Sequence, residues 1–427
     1  MSPLLPESAS GANFGEYNRR LMFPRPPATF LREVRIRNYK SISKCAVSFR
    51  AVTLLVGRNG SGKSNFLDAL RFVTEGLQSS LDHAIRTRGG IDNVRRRSTG
   101  HPRNFAIELV ITLSDGLKAT YGFELTARQN SGFAVKREDM SVQDHGGRRV
   151  AYYHREEKTV VQASHKNMPP VLEDRLYLVN ASGLPDFRQV YDALLSVGFY
   201  NLNPESMKEP QSPDAGELLH PDGSNIASVV GRLARQQPEA IDRIRVYLTT
   251  IVPGISGFES VTLGPRETLL FSQRVEGAQH PWRFYAASMS DGTLRALGAL
   301  VAVGQLGVTG TDVRLVGLEE PETALHPAAA GALMDALREA SVHTQVIGTT
   351  HSPDLLSEVD LDTDGLLVVV SRDGNTRIGP VDEPSVEAVR RHLYTPGELL
   401  RLDQLQPDER DLRRQEQLNL FSGIAVA

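Results

Sequence analysis

One eight-residue segment constrains the fold more than any other part of the sequence. Residues 57–64 read Gly-Arg-Asn-Gly-Ser-Gly-Lys-Ser, with an apolar segment at 51–56 before them and an amphipathic stretch at 65–73 after them. The glycines allow backbone N–H groups to curl around an anion, and the N-terminus of the following helix adds its positive dipole end. The pattern predicts a phosphate-binding loop between a buried strand and a helix, in which Lys63 reaches the β- and γ-phosphates and Ser64 binds Mg²⁺.

Length and composition exclude several classes of protein. The chain has 427 residues, 40% hydrophobic and 23% charged, which is typical of a globular protein larger than one ordinary domain. No segment approaches the roughly 20 apolar residues that a membrane-spanning helix needs, so we expect no membrane contact. The single cysteine, Cys45, is compatible with a reducing cytoplasm. The net charge of -3 gives no overall attraction to nucleic acid, so such binding requires a local basic patch.

The predicted secondary structure divides one α/β domain between the two ends of the chain. Strand patterns dominate 31–56 and 105–161, helical patterns dominate 169–253, and strands alternate with helices from 269 to 370. Only contacts distant in sequence can complete such a split core. We predict a flexible N-terminal extension (1–29), the N-terminal half of the core (30–168), a helical insertion lobe (169–265), the C-terminal half of the core (266–380) and a helical C-terminal tail (381–427).

Two further segments carry side chains suited to phosphate chemistry. The apolar run at 315–318 ends in Glu319 and Glu320, and successive side chains of a strand point to opposite faces. Beside a phosphate-binding loop, the first acid at such a strand end holds Mg²⁺ through water and the second polarises the attacking water. His351 follows the strand predicted at 345–350, and from there its imidazole could contact a γ-phosphate. A solvated strand end and a structural histidine are the alternatives.

Five motifs occur in a fixed order along the chain. They are Asn-Tyr-Lys-Ser at 38–41, the loop at 57–65, Met-Ser-Asp-Gly-Thr at 289–293, Leu-Glu-Glu-Pro-Glu at 318–322 with Leu-His-Pro at 325–327, and Thr-His-Ser-Pro at 350–353. In this order they resemble the ABC-type ATPases of the Rad50, RecF and SMC group, and within it the OLD-type and AAA family ATPases of phage-defence systems. The resemblance covers about residues 30–125 and 284–370. It implies an α/β fold, an ABC-type P-loop ATPase head split in sequence by a mainly helical insertion lobe.

The resemblance also implies roles for individual residues, with ATP and Mg²⁺ as ligands. Glu320 is implied as the catalytic glutamate and His351 as the switch histidine, while Ser64 and Glu319 hold the metal. Contacts with ATP are implied for Lys40, Asn59, Gly60, Gly62, Lys63, Ser64, Asn65, Ser290 and Gly292. The family geometry implies an ATP-dependent head-to-tail dimer, in which Ser290 and the N-terminus of the helix after it bind the γ-phosphate held by the other subunit and release it after hydrolysis.

Three features depart from the family pattern. Glu319 stands where many relatives have Asp, Asp291 replaces a signature Gly and brings a negative charge near the nucleotide of the other subunit, and no Q-loop glutamine can be assigned. Taken alone, the Ser-Asp-Gly-Thr segment is also typical of an ordinary turn before a helix.

The sequence is compatible with two functions. In the first, ATP-gated dimerisation drives a DNA-associated process, in phage defence or DNA repair, together with a separate effector or nuclease. A basic loop at 86–103, with six arginines and one aspartate, is its candidate DNA contact, although a solvated loop explains the same pattern. In the second, the chain is an ATP-dependent scaffold or sensor that sequesters a toxic effector and releases it without acting on DNA.

We expect no nuclease activity from this chain itself. OLD-type nucleases carry a metal-binding Toprim domain after the ATPase core, whereas residues 352–427 are accounted for by a strand, a hairpin and polar helices. The acidic cluster at 360–364 lacks the glutamate of a calcium loop and is typical of an exposed turn. The polar segment at 403–417 predicts a surface helix available for docking a partner.

Overall fold

The computed structural model describes residues 29–98, 102–129, 132–305 and 313–421, so most of the predicted extension at 1–29 lies outside the described residues. Within them, thirteen strands form one large sheet and three form a small one. The strands are β1 (Leu31–Tyr39), β2 (Ile42–Ser48), β3 (Val52–Val56), β4 (Asn104–Thr112), β5 (Lys118–Ala127), β6 (Phe133–Gln143), β7 (Arg149–Glu156), β8 (Thr159–Ala163), β9 (Val197–Tyr200), β10 (Ile255–Leu263), β11 (Arg266–Gln273), β12 (Trp282–Tyr285), β13 (Leu315–Glu319), β14 (Gln345–Thr350), β15 (Gly365–Arg372) and β16 (Asn375–Pro380).

Helices pack on these sheets and bury two hydrophobic cores. They are α1 (Lys63–Gln78), α2 (Leu81–Arg86), α3 (Ile91–Val94), α4 (Tyr177–Ala181), α5 (Pro185–Leu195), α6 (Pro204–Lys208), α7 (Ile226–Gln236), α8 (Pro238–Ile251), α9 (Asp291–Gly304), α10 (Ala330–Ala340), α11 (Pro353–Ser357), α12 (Glu383–Arg390), α13 (Pro396–Arg401) and α14 (Glu409–Gln417). One core joins α1 to the antiparallel strands, and the other joins α7 to α10 with the parallel strands.

The two halves of the sequence meet in a parallel sheet. The large sheet has the order β8-β7-β6-β5-β4-β1-β2-β16-β15-β3-β14-β13-β9, and β3 pairs in parallel with both β14 and β15. Every residue of β3 is buried because helices cover both faces of this part of the sheet. Its side chains alternate between the two cores, with Leu55 in one and Leu54 in the other.

The other half of the sheet is antiparallel and has one charged face. Strands β1, β2 and β4 to β8 pair as antiparallel neighbours. In β1, Val34 and Ile36 face α1 and are fully buried, while Arg35 lies on the opposite face, where it pairs with Glu108 of β4. This alternation of apolar and charged residues is what allowed the strand to be predicted.

The predicted helical lobe at 169–265 contains α4 to α8, but it also contributes a strand to the core. Strand β9 lies at the edge of the large sheet and pairs in parallel with β13. A Cβ on Gly317 of β13 would lie 2.4 Å from the ring of Phe199, so the glycine makes room for this neighbour. Four residues are too few to show a strand period, and β9 is stabilised by its pairing partner rather than by its own sequence.

The polar helix predicted at 403–417 is shorter and already docked within the chain. It begins at Glu409 and packs on β2 and β16, with Leu412 and Gln415 buried. The Gln415 side chain accepts from the Ala46 N–H (3.1 Å) and donates to the Ile378 carbonyl (2.9 Å). The helix therefore covers the region where β2 and β16 are joined by a single bridge. The face of the helix that carries Leu412 and Gln415 is not free for a partner.

Candidate functional site

The loop between β3 and α1 requires glycine at two positions where it touches the sheet. Gly62 has a φ of 107°, and a Cβ there would lie 2.0 Å from the Thr376 hydroxyl of β16. A Cβ on Gly57 would lie 2.1 Å from the Val369 carbonyl of β15. Gly60, also left-handed with a φ of 77°, lies at the exposed tip with Asn59. The strands that follow His351 in sequence therefore form the base of this loop.

Lys63 and the start of α1 present the features of an anion site. The Lys63 side chain is buried, and its Nζ donates to the carbonyls of Gly57 (2.7 Å) and Arg58 (3.2 Å). Burial lowers the pKa of this ammonium group, against the pull of the Glu320 and Glu322 carboxylates. No side chain caps the N-terminus of α1, and its first turn holds no acidic residue. Those N–H groups and the dipole are thus available to a phosphate.

Two polar groups in the loop complete this fit. The Ser61 hydroxyl is buried and has no hydrogen-bond partner among the described residues. Ser64, one residue after the lysine, is exposed at the start of α1. A buried lysine, uncapped helix N–H groups and an unused hydroxyl are the donors that a polyphosphate needs, and the Ser64 oxygen is of the type that Mg²⁺ prefers.

The two acids at the end of β13 diverge, and one of them meets His351. The Glu319 Oε1 lies 3.3 Å from the Arg71 guanidinium of α1. Glu320 has a φ of 43°, and its N–H donates to the Thr349 carbonyl of β14 (3.0 Å). Its Oε1 lies 3.1 Å from the His351 Nδ1, with the side chains 35% and 44% exposed. The structure thus brings together Glu320 and His351, which are distant in sequence, and leaves both open to water.

The signature segment lies at the N-terminus of α9. The Ser290 hydroxyl caps this helix by accepting from the Thr293 N–H (3.2 Å), and Asp291 pairs with Lys208 (2.8 Å). A Cβ on Gly292 would lie 2.2 Å from the Ala324 carbonyl, in the turn that follows Glu320. Ser290 is therefore the helix cap that an ordinary turn would also provide, and the helix end is held close to the acidic turn.

Two residues predicted to contact ATP also bond within the chain, and their contact with ATP stays a prediction. Lys40, with a left-handed φ of 45°, forms an ion pair with Asp68 of α1 (2.5 Å). The Asn65 amide donates to the Ser41 hydroxyl (2.7 Å). From there a chain of hydrogen bonds runs through the Thr376 hydroxyl to the Ser61 carbonyl. Asn65 is thus linked to the loop through Ser41 and Thr376. The sequence gave no signal of this role because Thr376 lies so far along the chain.

Most arginines of the predicted basic loop at 86–103 already have partners. Arg88 is bonded to Asp68 and Glu75, and Arg96 donates to the Ser41 carbonyl (2.6 Å). The remaining pairings are Arg86 with Asp82, Arg95 with Asp92 and Arg97 with Asn93. Helix α2 ends at Arg86, where the segment begins, and α3 occupies residues 91–94 of it, while residues 99–101 lie outside the described part of the chain. Arg88 therefore ties the segment to α1 and Arg96 ties it to the β1–β2 turn, whereas Arg86, Arg95 and Arg97 pair with their neighbours in sequence.

A basic cavity lies beside the segment at 86–103. It has a volume of about 600 Å³ and is lined by Arg37, Asn38, Pro102, Arg103, Asn104, Glu124 and Lys136. Glu124 is buried and pairs with Arg37 (3.0 Å) and Lys136 (3.3 Å). Three cations against one acid leave the cavity with a positive formal charge.

The acidic cluster at 360–364 is used structurally. Asp364 is buried and forms an ion pair with Arg338 of α10 (2.7 Å). Its carboxylate also accepts from the Asp360 N–H (3.0 Å). Over the residues that the structure describes, no group of three or more His, Cys, Asp or Glu side chains is arranged to hold a metal ion.

A family model described as "AAA domain, putative AbiEii toxin, Type IV TA system" matches residues 52–357, well over half of the chain. The chain belongs to this family. The matched range includes the loop, both acids, the signature segment and His351. No curated protein matches the chain significantly in sequence.

Solved SMC heads share the fold. One, an SMC head bound to the C-winged helix domain of ScpA, is 15% identical, with 84% of this chain and 99% of that one covered and a TM-score of 0.52. Another, with an extended coiled coil and bound to a C-terminal domain of ScpA, described as derived from Pyrococcus furiosus, is 12% identical, with 85% and 99% covered and a TM-score of 0.53. The predicted resemblance and α/β fold class are confirmed: the chain is a member of the AAA family above and has the fold of the SMC heads. Over the described residues, every helix is too short or too polar to cross a bilayer.

Proposed function

We propose that this ATPase hydrolyses ATP at a site built from Lys63, Ser64, Glu319, Glu320 and His351. The observation that carries the proposal is the Glu320–His351 pair at the ends of neighbouring strands, within electrostatic reach of the Lys63 ammonium. Lys63 exchanges its two loop carbonyls for phosphate oxygens, and Glu320 accepts a proton from the attacking water. Ser64 and Glu319 would hold Mg²⁺, which would supply neutralisation of charge on the phosphates.

The second half of the proposal is an ATP-dependent head-to-tail dimer. Ser290 and the N-terminus of α9 serve the ATP held by the other subunit, since a helix N-terminus attracts a phosphate and its dipole favours negative charge. Hydrolysis removes the bridging phosphate and loosens the dimer. In this scheme Asp291 is kept from opposing the phosphate by its pairing with Lys208.

We propose further that the dimer cycle acts in a DNA-associated process, phage defence or DNA repair, with a separate effector or nuclease. The SMC heads with the same fold are bound to ScpA domains, which supports a protein partner for such a head. The alternative is an ATP-dependent scaffold that sequesters a toxic effector. It is favoured by the toxin and toxin–antitoxin wording of the family description. Co-purification of a neighbouring gene product from the native host distinguishes the two functions, because the partner is an effector or nuclease that acts on DNA in the first and a sequestered toxic effector in the second.

Replacing Lys63 with Ala tests the nucleotide site. The change removes a buried ammonium group whose hydrogen bonds to charged oxygens contribute about 1.5–3 kcal/mol each, so we expect ATP to bind about a hundredfold more weakly. The measurement is titration with a fluorescent ATP analogue in the presence of Mg²⁺. The control is Lys158→Ala, which removes an exposed lysine in the β7–β8 turn that pairs with Glu173. Unchanged binding by Lys63→Ala would place the nucleotide elsewhere.

If DNA is bound directly, the cavity beside β1 is a better candidate than the arginines at 95–97. Replacing Arg37, Arg103 and Lys136 with Ala should weaken a gel shift on double-stranded DNA and reduce its salt dependence, because fewer counterions are released. Arg148→Ala removes an exposed arginine on the β6–β7 hairpin and serves as the control. Binding that is insensitive to all three changes, or to salt, contradicts the assignment.

A further inference from the structure

The turn after Glu320 carries a third glutamate, Glu322, whose role the motifs do not indicate. The chain reverses between β13 and α10, with left-handed backbone at Glu320 (φ 43°) and Ala324 (φ 67°). Between them, Glu322 is only 9% exposed. Its carboxylate points inward, towards the end of β14, whereas that of Glu320 is open to water.

Glu322 is linked by hydrogen bonds to both residues that flank His351. The Thr350 hydroxyl donates to the Glu322 Oε1. The same hydroxyl accepts from the Ser352 N–H (3.0 Å). Ser352 in turn caps α11 by accepting from the Leu355 N–H (3.3 Å). The backbone before and after His351 is therefore held to the acidic turn through one hydroxyl group.

A glutamate at position 322 is unfavourable for folding. The Glu322 Oε2 is buried without a partner among the described residues, and burial raises the pKa of the carboxyl group. An apolar side chain of similar size would cost less to bury at this point. Places where a sequence breaks such a local rule are commonly functional, so the acid calls for a role beyond packing.

We propose that Glu322 is a positioning residue for hydrolysis, which acts through Thr350 to hold His351 against Glu320. The inference rests on the proposed ATPase site and adds a residue to it. Glu320 is itself fixed to β14 by its N–H bonds to Thr349. The turn and the strand end thus share two attachments, one at Thr349 for Glu320 and one at Thr350 for His351. Loss of the second leaves ATP binding intact but lets the histidine move.

The experiment measures steady-state ATP hydrolysis and ATP binding for variants on both sides of this hydrogen bond. Glu322→Ala and Thr350→Val should each lower kcat by roughly ten- to hundredfold, the effect of losing a hydrogen bond to a charged group, with KM and ATP affinity within about threefold. Glu322→Gln and Thr350→Ser keep the acceptor and the hydroxyl, so both should stay within about fivefold of the wild type. The double variant Glu322→Ala/Thr350→Val should be no slower than the slower single one, because both remove the same link.

A second acid controls for a structural effect. Glu108→Gln alters another buried carboxylate, paired with Arg35 on the antiparallel half of the sheet, and should lower the melting temperature without changing kcat. Wild-type kcat in Glu322→Ala, or additive losses in the double variant, would overturn the inference. If Glu322→Ala does not fold, Thr350→Val and Thr350→Ser decide. A wild-type protein that binds ATP without hydrolysing it would instead defeat the proposed function.

Discussion

Replacing Glu320 with Gln should lower ATP turnover by about three orders of magnitude, within the range attributed to general bases, while ATP binding changes little. The amide has the shape of the carboxylate and keeps an oxygen in the same place, but it cannot accept a proton from water. Glu320 is the acid of the turn that is open to solvent and lies beside His351, 3.1 Å from its Nδ1. Phosphate release measures turnover, and a fluorescent ATP analogue measures binding.

The neighbouring acids sharpen this test. Glu319 faces Arg71 and Glu322 faces Thr350, so neither shares the histidine partner of Glu320. Glu173→Gln, an exposed glutamate paired with Lys158, controls for a general effect of losing one charge. Hydrolysis at the wild-type rate in Glu320→Gln would remove it as the base. A loss of ATP binding as large as the loss of turnover would show that it acts in the ground state.

The parts of the fold that local pattern determines could be predicted from the sequence. The loop at 57–64 is recognisable in the sequence because some of its positions accept only glycine. At Gly62, for example, a Cβ would lie 2.0 Å from the Thr376 hydroxyl. The strand β13 and its two acids were predictable for a similar reason, since an apolar run that ends abruptly in charge marks the edge of a buried sheet. That Glu320 and His351 lie in contact follows from the parallel pairing of β13 with β14, which no local pattern specifies.

The parts that depend on distant partners could not be predicted. Lys40 matches a motif that implies a nucleotide contact, which stays a prediction, but the motif gave no sign that Asp68 forms an ion pair with this lysine. The arginines at 86–97 read as a solvent-facing patch, but Arg88 is nearly buried between two acids of α1. A charged residue in a sequence gives no indication of which opposite charge the fold brings beside it. The same limit concealed the docking of α14, which depends on the gap between β2 and β16.

The signature segment also required the structure for its interpretation. Ser290 caps α9 within its own chain, which is the bland interpretation of the Ser-Asp-Gly-Thr motif. The two roles are compatible, because a capped helix still directs its remaining N–H groups and its dipole outward. What separates them is an effect that a cap alone does not have, namely dependence of assembly on ATP.

Replacing Ser290 with Arg should therefore abolish ATP-dependent dimerisation while each subunit still binds ATP. The comparison uses the Glu320→Gln background, in which bound ATP persists. There, ATP and Mg²⁺ should double the mass measured by light scattering. Arginine at position 290 replaces a hydroxyl with a bulky side chain at the point where the proposed interface closes on the phosphate of the other subunit, and a clash built into an interface weakens it. A penalty of about 4 kcal/mol corresponds to a dimer roughly a thousandfold weaker.

The control for this prediction separates loss of the cap from loss of the interface. Ser80 caps α2 as Ser290 caps α9, by accepting from the N–H three residues on (3.0 Å). Ser80→Arg should lower stability by about 1 kcal/mol, as loss of a cap does, yet leave ATP-dependent dimerisation intact. Ser290→Arg should show a comparable fall in melting temperature together with a monomeric mass in ATP. If Ser290→Arg forms the same dimer as its parent, then Ser290 is a helix cap and nothing more, and the proposed head-to-tail arrangement is wrong. If both variants fail to dimerise, the cause is helix stability, and the signature segment has no special part in assembly.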